Sequence, residues 1–195
     1  MNAGKLDQRI ELLTLEQQET RYQWRLQTRL WAWAEQKEGR NIFSQQGKAA
    51  PRVEFVLRRR KLTLRQALRW RGQHCFLTDI RPEGSQHLRV GAALTPVVQC
   101  FYLKKAQLPD ENNVLRQQRR QQMEFPACLA EKYTGYQADL PDTRANASLI
   151  LATPKAILLE TGRSVELLGK LWRVTACHTL ADFQNEYQIQ REFNP

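Results

Sequence analysis

Apolar and polar residues alternate along short stretches of the chain, which is the pattern of half-buried β-strands. The alternation recurs throughout the first hundred residues and is broken by Gly- and Pro-containing turns. Short strands separated by such turns favour a small barrel or sandwich over a βαβ sheet. The first predicted strand begins at Ile10–Leu13, the second covers Leu30–Glu35, and the third covers Val53–Arg58, with Val53, Phe55 and Leu57 on one face.

A hairpin and two further strands follow in the same pattern. Leu68 and Trp70 alternate with Arg69 and Arg71, so the two pairs face opposite sides of a strand. The predicted turns and later strands are a tight turn at Gly72-Gln73 into His74–Ile80, a turn at Pro82–Ser85, and strands at Leu88–Val90 and Val97–Leu103.

Two segments do not fit the strand pattern. Residues 39–51 are long for a hairpin connection and predict either a short helix or a projecting loop. Residues 114–122 contain good helix formers but few apolar positions, which predicts an exposed short helix or a linker. The expected organisation is therefore a β-domain over residues 1–108, a basic linker or short helix over 109–122, and a second small β-domain over 123–195.

The second half repeats a feature of the first. Gly72-x-x-Cys75 aligns with Gly169-x-x-Trp172, and alternating apolar residues precede both glycines. A turn and a closing strand follow in each case. The match predicts either a duplication of one small β-module or two unrelated β-domains.

Charge divides the chain unevenly. Residues 1–122 contain 23 Lys and Arg against 11 Asp and Glu, whereas residues 123–195 contain 7 against 9. The asymmetry suggests that only the first part faces a polyanion. With 42% hydrophobic residues, a mean hydropathy of -0.62 and no long apolar run, we expect neither a membrane span nor a secretory signal.

Reactive chemistry is not expected. The four cysteines at 75, 100, 128 and 177 form no C-x-x-C pair, so we interpret them as reduced core thiols without a disulfide or a metal. Cys177 and His178 are neighbours on a predicted strand and would point to opposite faces. No nucleophile elbow, P-loop or zinc-protease motif is present. The sequence predicts no enzyme activity, catalytic residue or cofactor.

A basic cluster is the strongest chemical signal. Four consecutive cations, Arg58–Lys61, are followed closely by Arg65, Arg69 and Arg71. On a hairpin these guanidinium groups would share a surface suited to phosphate contact. Trp70 either stacks on bases or belongs to the core. The alternative for the arginines is solvation, or pairing with acidic residues of another subunit.

Four short motifs follow one another along the first hundred residues: Gly4–Leu12 at the opening, Leu30–Ala34 with its Trp-Ala element, Gly39–Phe43 at the start of a loop, and the hairpin Gly72–Ile80. Their order and spacing resemble those of the phage head–tail adaptor proteins, also called head-closure or head–tail joining proteins, of long-tailed bacteriophages. Arg58 and Arg60 fall where that family has Arg-containing strands, and the similarity spans about residues 4–103. Asn41 replaces the family's usual Glu, and most members end near residue 110.

The resemblance implies a virion structural protein made in the host bacterial cytoplasm and located at the head–tail junction. Such adaptors form a ring under the portal protein, extend the DNA channel, close the DNA-filled head and provide the attachment platform for tail or tail-completion proteins. The expected partners are therefore the portal, the tail, other copies of the chain and the packaged DNA, with no membrane. A non-sequence-specific nucleic-acid-binding β-barrel protein is the alternative.

Two sets of residues would carry these contacts. Arg58, Arg60, Arg69 and Arg71 are the candidates for facing the DNA channel or the portal. The candidate subunit-contact loop comprises Arg40, Ile42, Phe43 and Lys48.

Overall fold

The computed structural model describes residues 6–42, 49–108, 117–131 and 148–192. In these ranges the chain forms β-strands and no helix, which confirms the prediction of a mainly-β fold. The strands are β1 (Gln8–Gln18), β2 (Arg21–Ile42), β3 (Ala49–Arg58), β4 (Ala67–Trp70), β5 (Gln73–Glu83), β6 (His87–Leu94), β7 (Val98–Leu108), β8 (Gln117–Glu131), β9 (Ser148–Pro154), β10 (Ser164–Leu167), β11 (Lys170–His178) and β12 (Gln184–Arg191).

The first six strands close into an antiparallel barrel. Around its wall the order is β1-β4-β5-β6-β3-β2, and β2 pairs back with β1. Alternation along each strand sends one set of side chains inward, where Ile10, Phe55, Leu68 and Val90 are buried in a single cluster. Trp70 belongs to this cluster too, so the core interpretation of that residue is confirmed.

The last six strands close in the same way. Their order is β7-β10-β11-β12-β9-β8, and β8 pairs with β7. Phe125, Leu151, Trp172 and Tyr187 fill the centre of this second barrel. Tyr187 is fully buried, and its hydroxyl donates to the Ile157 carbonyl at 2.8 Å, so its polar end is satisfied.

The two barrels have the same strand connectivity. The β4–β5 hairpin turns at Arg71-Gly72 (φ 51° and 77°), and the β10–β11 hairpin turns at Leu168-Gly169 (φ 50° and 68°). Positive φ at both central residues is the backbone of a type I′ turn, which matches the twist of a two-residue hairpin. The turn therefore occupies Arg71-Gly72, one residue before the predicted position. Whether the shared connectivity reflects a duplication stays a prediction.

A third apolar cluster joins the barrels. Ala50, Phe76 and Ala93 of the first barrel pack with Cys128 and Ala152 of the second. Polar contacts also join the barrels: Thr95 Oγ1 to Cys128 Sγ at 2.7 Å, Glu124 N to Thr20 O at 2.7 Å, the Arg21–Glu124 ion pair at 3.2 Å, and Arg65 Nε to Asp182 O at 3.3 Å.

The structure corrects the predicted division of the chain. Strand β7 belongs to the second barrel because it pairs with β8 and β10, and Cys100 lies in the second core. Residues 117–122, expected as a helix or linker, extend β8, since their backbone pairs with that of β7. Dividing the chain at residue 96 leaves 18 Lys and Arg against 9 Asp and Glu before it, and 12 against 11 after it. The excess positive charge lies on the first barrel, and the second is nearly neutral.

Candidate functional site

A groove of about 570 Å³ on the first barrel gathers several arginines around an exposed tryptophan. We call it the arginine groove. It lies where β2 and β3 run side by side and where the chain leaves β3. Its lining consists of Leu6, Arg29, Leu30, Trp31, Leu57, Arg58, Arg59 and Arg60.

Strand alternation positions the groove's side chains. On β2, Leu30 and Ala32 contribute to the core, so the intervening Trp31 points outward. On β3, Leu57 is buried and Arg58 is exposed. Ala32 pairs with Leu57 in an antiparallel register, which brings the neighbouring Trp31 and Arg58 together on the outer surface.

The chain segment after β3 adds two more guanidinium groups. Arg59 N donates to the Gln86 carbonyl at 2.7 Å, and this bond holds the exit from β3 against the β5–β6 turn. Arg59 is exposed and Arg60 is half-buried. Three consecutive arginines therefore line one side of the groove.

The arginine groove carries unneutralised charge. Arg58, Arg59 and Arg60 form no ion pair with any residue that the structure describes. The Arg60 Nε atom is buried and, within the same ranges, has no hydrogen-bond partner. Arg29 is paired, with its Nε 3.3 Å from Glu11 Oε1. Guanidinium groups without carboxylate partners are suited to phosphate or carboxylate oxygens brought by another molecule.

Trp31 is unusual for a residue of its size. Its side chain is 60% exposed, although Trp is a residue that folding normally buries. Arg9, also exposed, lies directly opposite it on β1. Trp31 is thus flanked by Arg9 on one neighbouring strand and by Arg58 on the other.

The structure separates the four arginines predicted to share a surface. Arg58 and Arg60 line the groove. Arg69 projects from β4 and binds Glu11 Oε2 at 3.1 Å. Arg71 lies in the β4–β5 turn, with its guanidinium 4.4 Å from the centre of the Trp70 ring. Arg69 therefore has an ion pair and Arg71 a cation–π contact, whereas Arg58 and Arg60 have no ion pair within the described part of the chain.

Trp70 is not available for stacking on a base. Its side chain is 4% exposed, and its indole N–H donates to Gln8 Oε1 at 2.7 Å. Its ring also packs edge-on against Phe55, with 6.0 Å between centroids. The exposed tryptophan of this barrel is Trp31, whose side chain lies on the outer surface.

The described ends of the predicted subunit-contact loop form a pair of antiparallel strands. Strand β2 continues to Ile42, and Arg40 pairs with Pro51 while Ile42 pairs with Ala49. Residues 39–51 were expected to form a short helix or a projecting loop. Their described ends, 39–42 and 49–51, are β-strand instead. Phe43 and Lys48 lie outside the described residues.

Sequence reasoning missed Trp31, Arg9 and Arg29 as members of the basic surface. The available signal was the Trp-Ala-Trp-Ala run, which places both tryptophans on one face of β2 and both alanines on the other. Apolar character alone favours burying tryptophan. The structure instead buries Ala32 and Ala34 and leaves Trp31 outside.

The described cysteines and acidic residues bear on two kinds of chemistry, reactive thiols and metal binding. Burial raises the pKa of the Cys75 and Cys100 thiols to about 12, so both stay protonated and unreactive near neutral pH. Across residues 6–42, 49–108, 117–131 and 148–192 no group of three or more His, Cys, Asp or Glu is placed to hold a metal ion. Nor does any helix in those ranges have the length and apolar character to cross a membrane.

Comparison with known proteins returned no match to a family model, to a curated protein or to a solved structure.

Proposed function

We propose that this chain is a virion structural protein that forms a ring at the head–tail junction of a long-tailed bacteriophage. In this role it extends the portal channel, closes the DNA-filled head and offers the tail its attachment platform. The observation that carries the proposal is the placement of the family-like motifs. Leu30–Ala34 lies on β2, Gly72–Ile80 forms the turn and first part of β5, and the opening motif leads into β1, all in one closed barrel.

The arginine groove supports a binding role over a catalytic one. A guanidinium stays charged at all physiological pH values and does not exchange protons in catalysis, whereas it binds phosphate and carboxylate well. The surface that Arg58, Arg59 and Arg60 would contact is therefore either packaged DNA or an acidic face of the portal. A ring repeats each such contact around a circle, so individually weak contacts become strong together.

Electron microscopy of particles from a phage with a stop codon in this gene tests the proposal. We expect DNA-filled or emptied heads to accumulate beside complete, unattached tails. Restoring the gene from a plasmid is the control and returns tailed virions. Normal tailed virions from the stop-codon strain would refute the proposal, and an absence of heads would assign the protein to an earlier assembly step.

A paired substitution tests which arginines make the contact. Arg58→Gln with Arg60→Gln removes two charges from the groove, and Arg69→Gln with Arg71→Gln removes two charges from residues already in intramolecular contacts. We expect the first pair to lower DNA retention or portal attachment at least several-fold more than the second, measured as the yield of filled, tailed particles. Equal yields from the two variants would argue against the groove as the contact surface.

The arginine groove also favours a second candidate, a protein that binds nucleic acid without sequence preference and outside any particle. Phosphate contacts of this kind release counterions, so affinity would fall steeply as salt rises. Tight, salt-steep binding by the isolated protein, together with normal virions from the stop-codon strain, would establish this candidate instead.

A further inference from the structure

We propose that the arginine groove binds single-stranded nucleic acid, with phosphates held by Arg58, Arg59 and Arg60 and an unpaired base stacked on Trp31. The inference goes beyond the proposed function and does not depend on it. Its physical content concerns one surface of the first barrel.

The indole of Trp31 is exposed on the outer surface of the first barrel. With 60% of its side chain in contact with solvent, Trp31 presents a large apolar face that folding leaves uncovered. Trp33, two residues along the same face of β2, is only half-exposed and has the Lys37 ammonium 5.8 Å from its ring centre. Among the described residues of β2, Trp31 is thus the aromatic side chain best placed to receive a planar ligand.

Several arginines surround that indole. Arg9 lies opposite Trp31 on β1, and Arg29 precedes Trp31 by two residues on the same face of β2. On β3, Arg58 comes directly after Leu57, which pairs with Ala32, so Arg58 lies beside Trp31. Arg59 and Arg60 complete the groove beyond. An aromatic face bordered by guanidinium groups is the combination found where proteins bind single strands, with bases stacking and phosphates following the basic groove.

A single strand of nucleic acid matches this surface better than a duplex or an acidic peptide does. In a duplex the faces of the bases are covered by their neighbours, so a duplex could use the arginines but not the indole. An acidic peptide could satisfy the arginines but carries a planar π face only where its sequence supplies one. Each nucleotide of a single strand brings both a phosphate and a base. The joint presence of Trp31 and three unpaired arginines therefore favours the single strand.

The test is a titration of the full-length protein with a fluorescent dT oligonucleotide at one fixed salt concentration. An abasic oligonucleotide of equal length, a duplex of equal length and a poly-glutamate peptide are measured in parallel. We expect Trp31→Ala to weaken dT binding about tenfold and to leave abasic binding unchanged, because stacking is lost and the phosphate contacts remain. Trp31→Phe should fall between wild type and Trp31→Ala.

Two matched variants control for site and charge. Trp33→Ala removes a tryptophan from the same strand and should leave dT affinity within about twofold of wild type. Replacing Arg58, Arg59 and Arg60 by Gln should weaken dT, abasic and duplex binding together. Replacing Arg25, Arg81 and Arg173 by Gln removes the same charge from other surfaces and should weaken binding far less. Thermal unfolding of each variant verifies that it is folded.

Three results would overturn the inference. Trp31→Ala could weaken dT and abasic binding equally or not at all, the two triple-Gln variants could lose affinity equally, or poly-glutamate could bind as tightly as dT, which would assign the groove to an acidic protein surface. None of these results bears on whether the protein joins heads to tails. That question is answered by particle microscopy, so the two proposals can fail separately.

Discussion

Leu168, in the turn between β10 and β11, has a backbone conformation that its side chain disfavours. Its φ is 50°, in the left-handed region where a Cβ atom crowds the backbone. The side chain is 68% exposed, so packing offsets little of this strain. The equivalent turn in the first barrel has Arg71 at φ 51°, where the contact with Trp70 supplies a compensating interaction.

Leu168→Asn should stabilise the protein by about 1 kcal/mol, because Asn adopts the left-handed region more readily and Asn-Gly is a preferred type I′ turn. Denaturant unfolding measures the change. Leu158→Asn is the control, since Leu158 is 70% exposed and has no positive φ. An equal gain from both variants would mean that removing exposed apolar surface, rather than relieving backbone strain, is the cause.

His74 links the first barrel's stability to pH. Its ring lies 5.2 Å from that of Trp24 and 4.8 Å from that of Phe76, measured between centroids. Burial, with a further contribution from the Arg69 charge, lowers the pKa of His74 to about 3. The unfolded chain takes up this proton near pH 6.5, whereas the folded chain does not until about pH 3. Folding stability therefore falls as pH drops through this interval.

His74→Gln should flatten the dependence of stability on pH between 6.5 and 3. The wild-type protein loses stability over this range by an amount on the order of a few kcal/mol from this group alone. Unfolding free energies measured at half-unit pH steps compare the two proteins. The explanation fails if the variant loses stability with the same slope as wild type.

At the scale of strands, one carboxylate connects three of them beside the arginine groove. Glu11 on β1 binds Arg29 on β2 at 3.3 Å and Arg69 on β4 at 3.1 Å. All three side chains are at least a quarter exposed, so solvent screens the pairs and each contributes little to stability. Their larger effect is electrostatic, because Glu11 lowers the net positive charge of the surface that includes Arg29.

Glu11→Gln should therefore raise the affinity of the protein for a polyanion several-fold while changing its unfolding free energy by less than about 1 kcal/mol. Oligonucleotide titration at fixed salt measures the affinity. Glu16→Gln makes the same change of charge further along β1, where Glu16 pairs with Arg25 at 3.7 Å. A gain from Glu16→Gln as large as that from Glu11→Gln would indicate a general effect of net charge.

At the scale of the whole molecule, two closed barrels share an apolar contact. Each barrel has its own core, and the cluster of Phe76, Ala93, Cys128 and Ala152 lies between them. Closure pairs β1 with β2 in the first barrel and β8 with β9 in the second, whereas from Trp33 to Ile42 the described part of β2 pairs only with β3. We expect this shared contact to couple the unfolding of one barrel to that of the other.

Ala93→Asp should uncouple the barrels. Ala93 is fully buried in the shared cluster, and a carboxylate there would lose its hydration without a compensating partner. Calorimetry of wild type should show one unfolding transition, and the variant should show two, with the second barrel's transition little shifted. Gln86→Asp, in the exposed β5–β6 turn, is the control. An equal fall in the unfolding temperatures of both barrels would contradict the expectation that each barrel unfolds with its own core.

Much of the strand content could be predicted because it depends on neighbours in sequence. The alternation of Val53, Phe55 and Leu57 indicates the inward face of β3, and the glycine at 72 locates the β4–β5 turn to within one residue. Residues 117–122 were misassigned because their composition suits a helix, and only the pairing with β7 makes them a strand. Pairing over distance has no signal in a local pattern.

Alternation, turn residues and charge are local properties, so the sequence alone predicts the mainly-β fold, most strands of the first half and the concentration of positive charge there. Three features become visible only in the folded chain: β7 belongs to the second barrel, Glu11 forms an ion pair with Arg69, and Trp31 is exposed beside Arg58. Glu11 and Arg69 are 58 residues apart in the chain. Such contacts follow from the register of paired strands, which is set by packing the core of the first barrel.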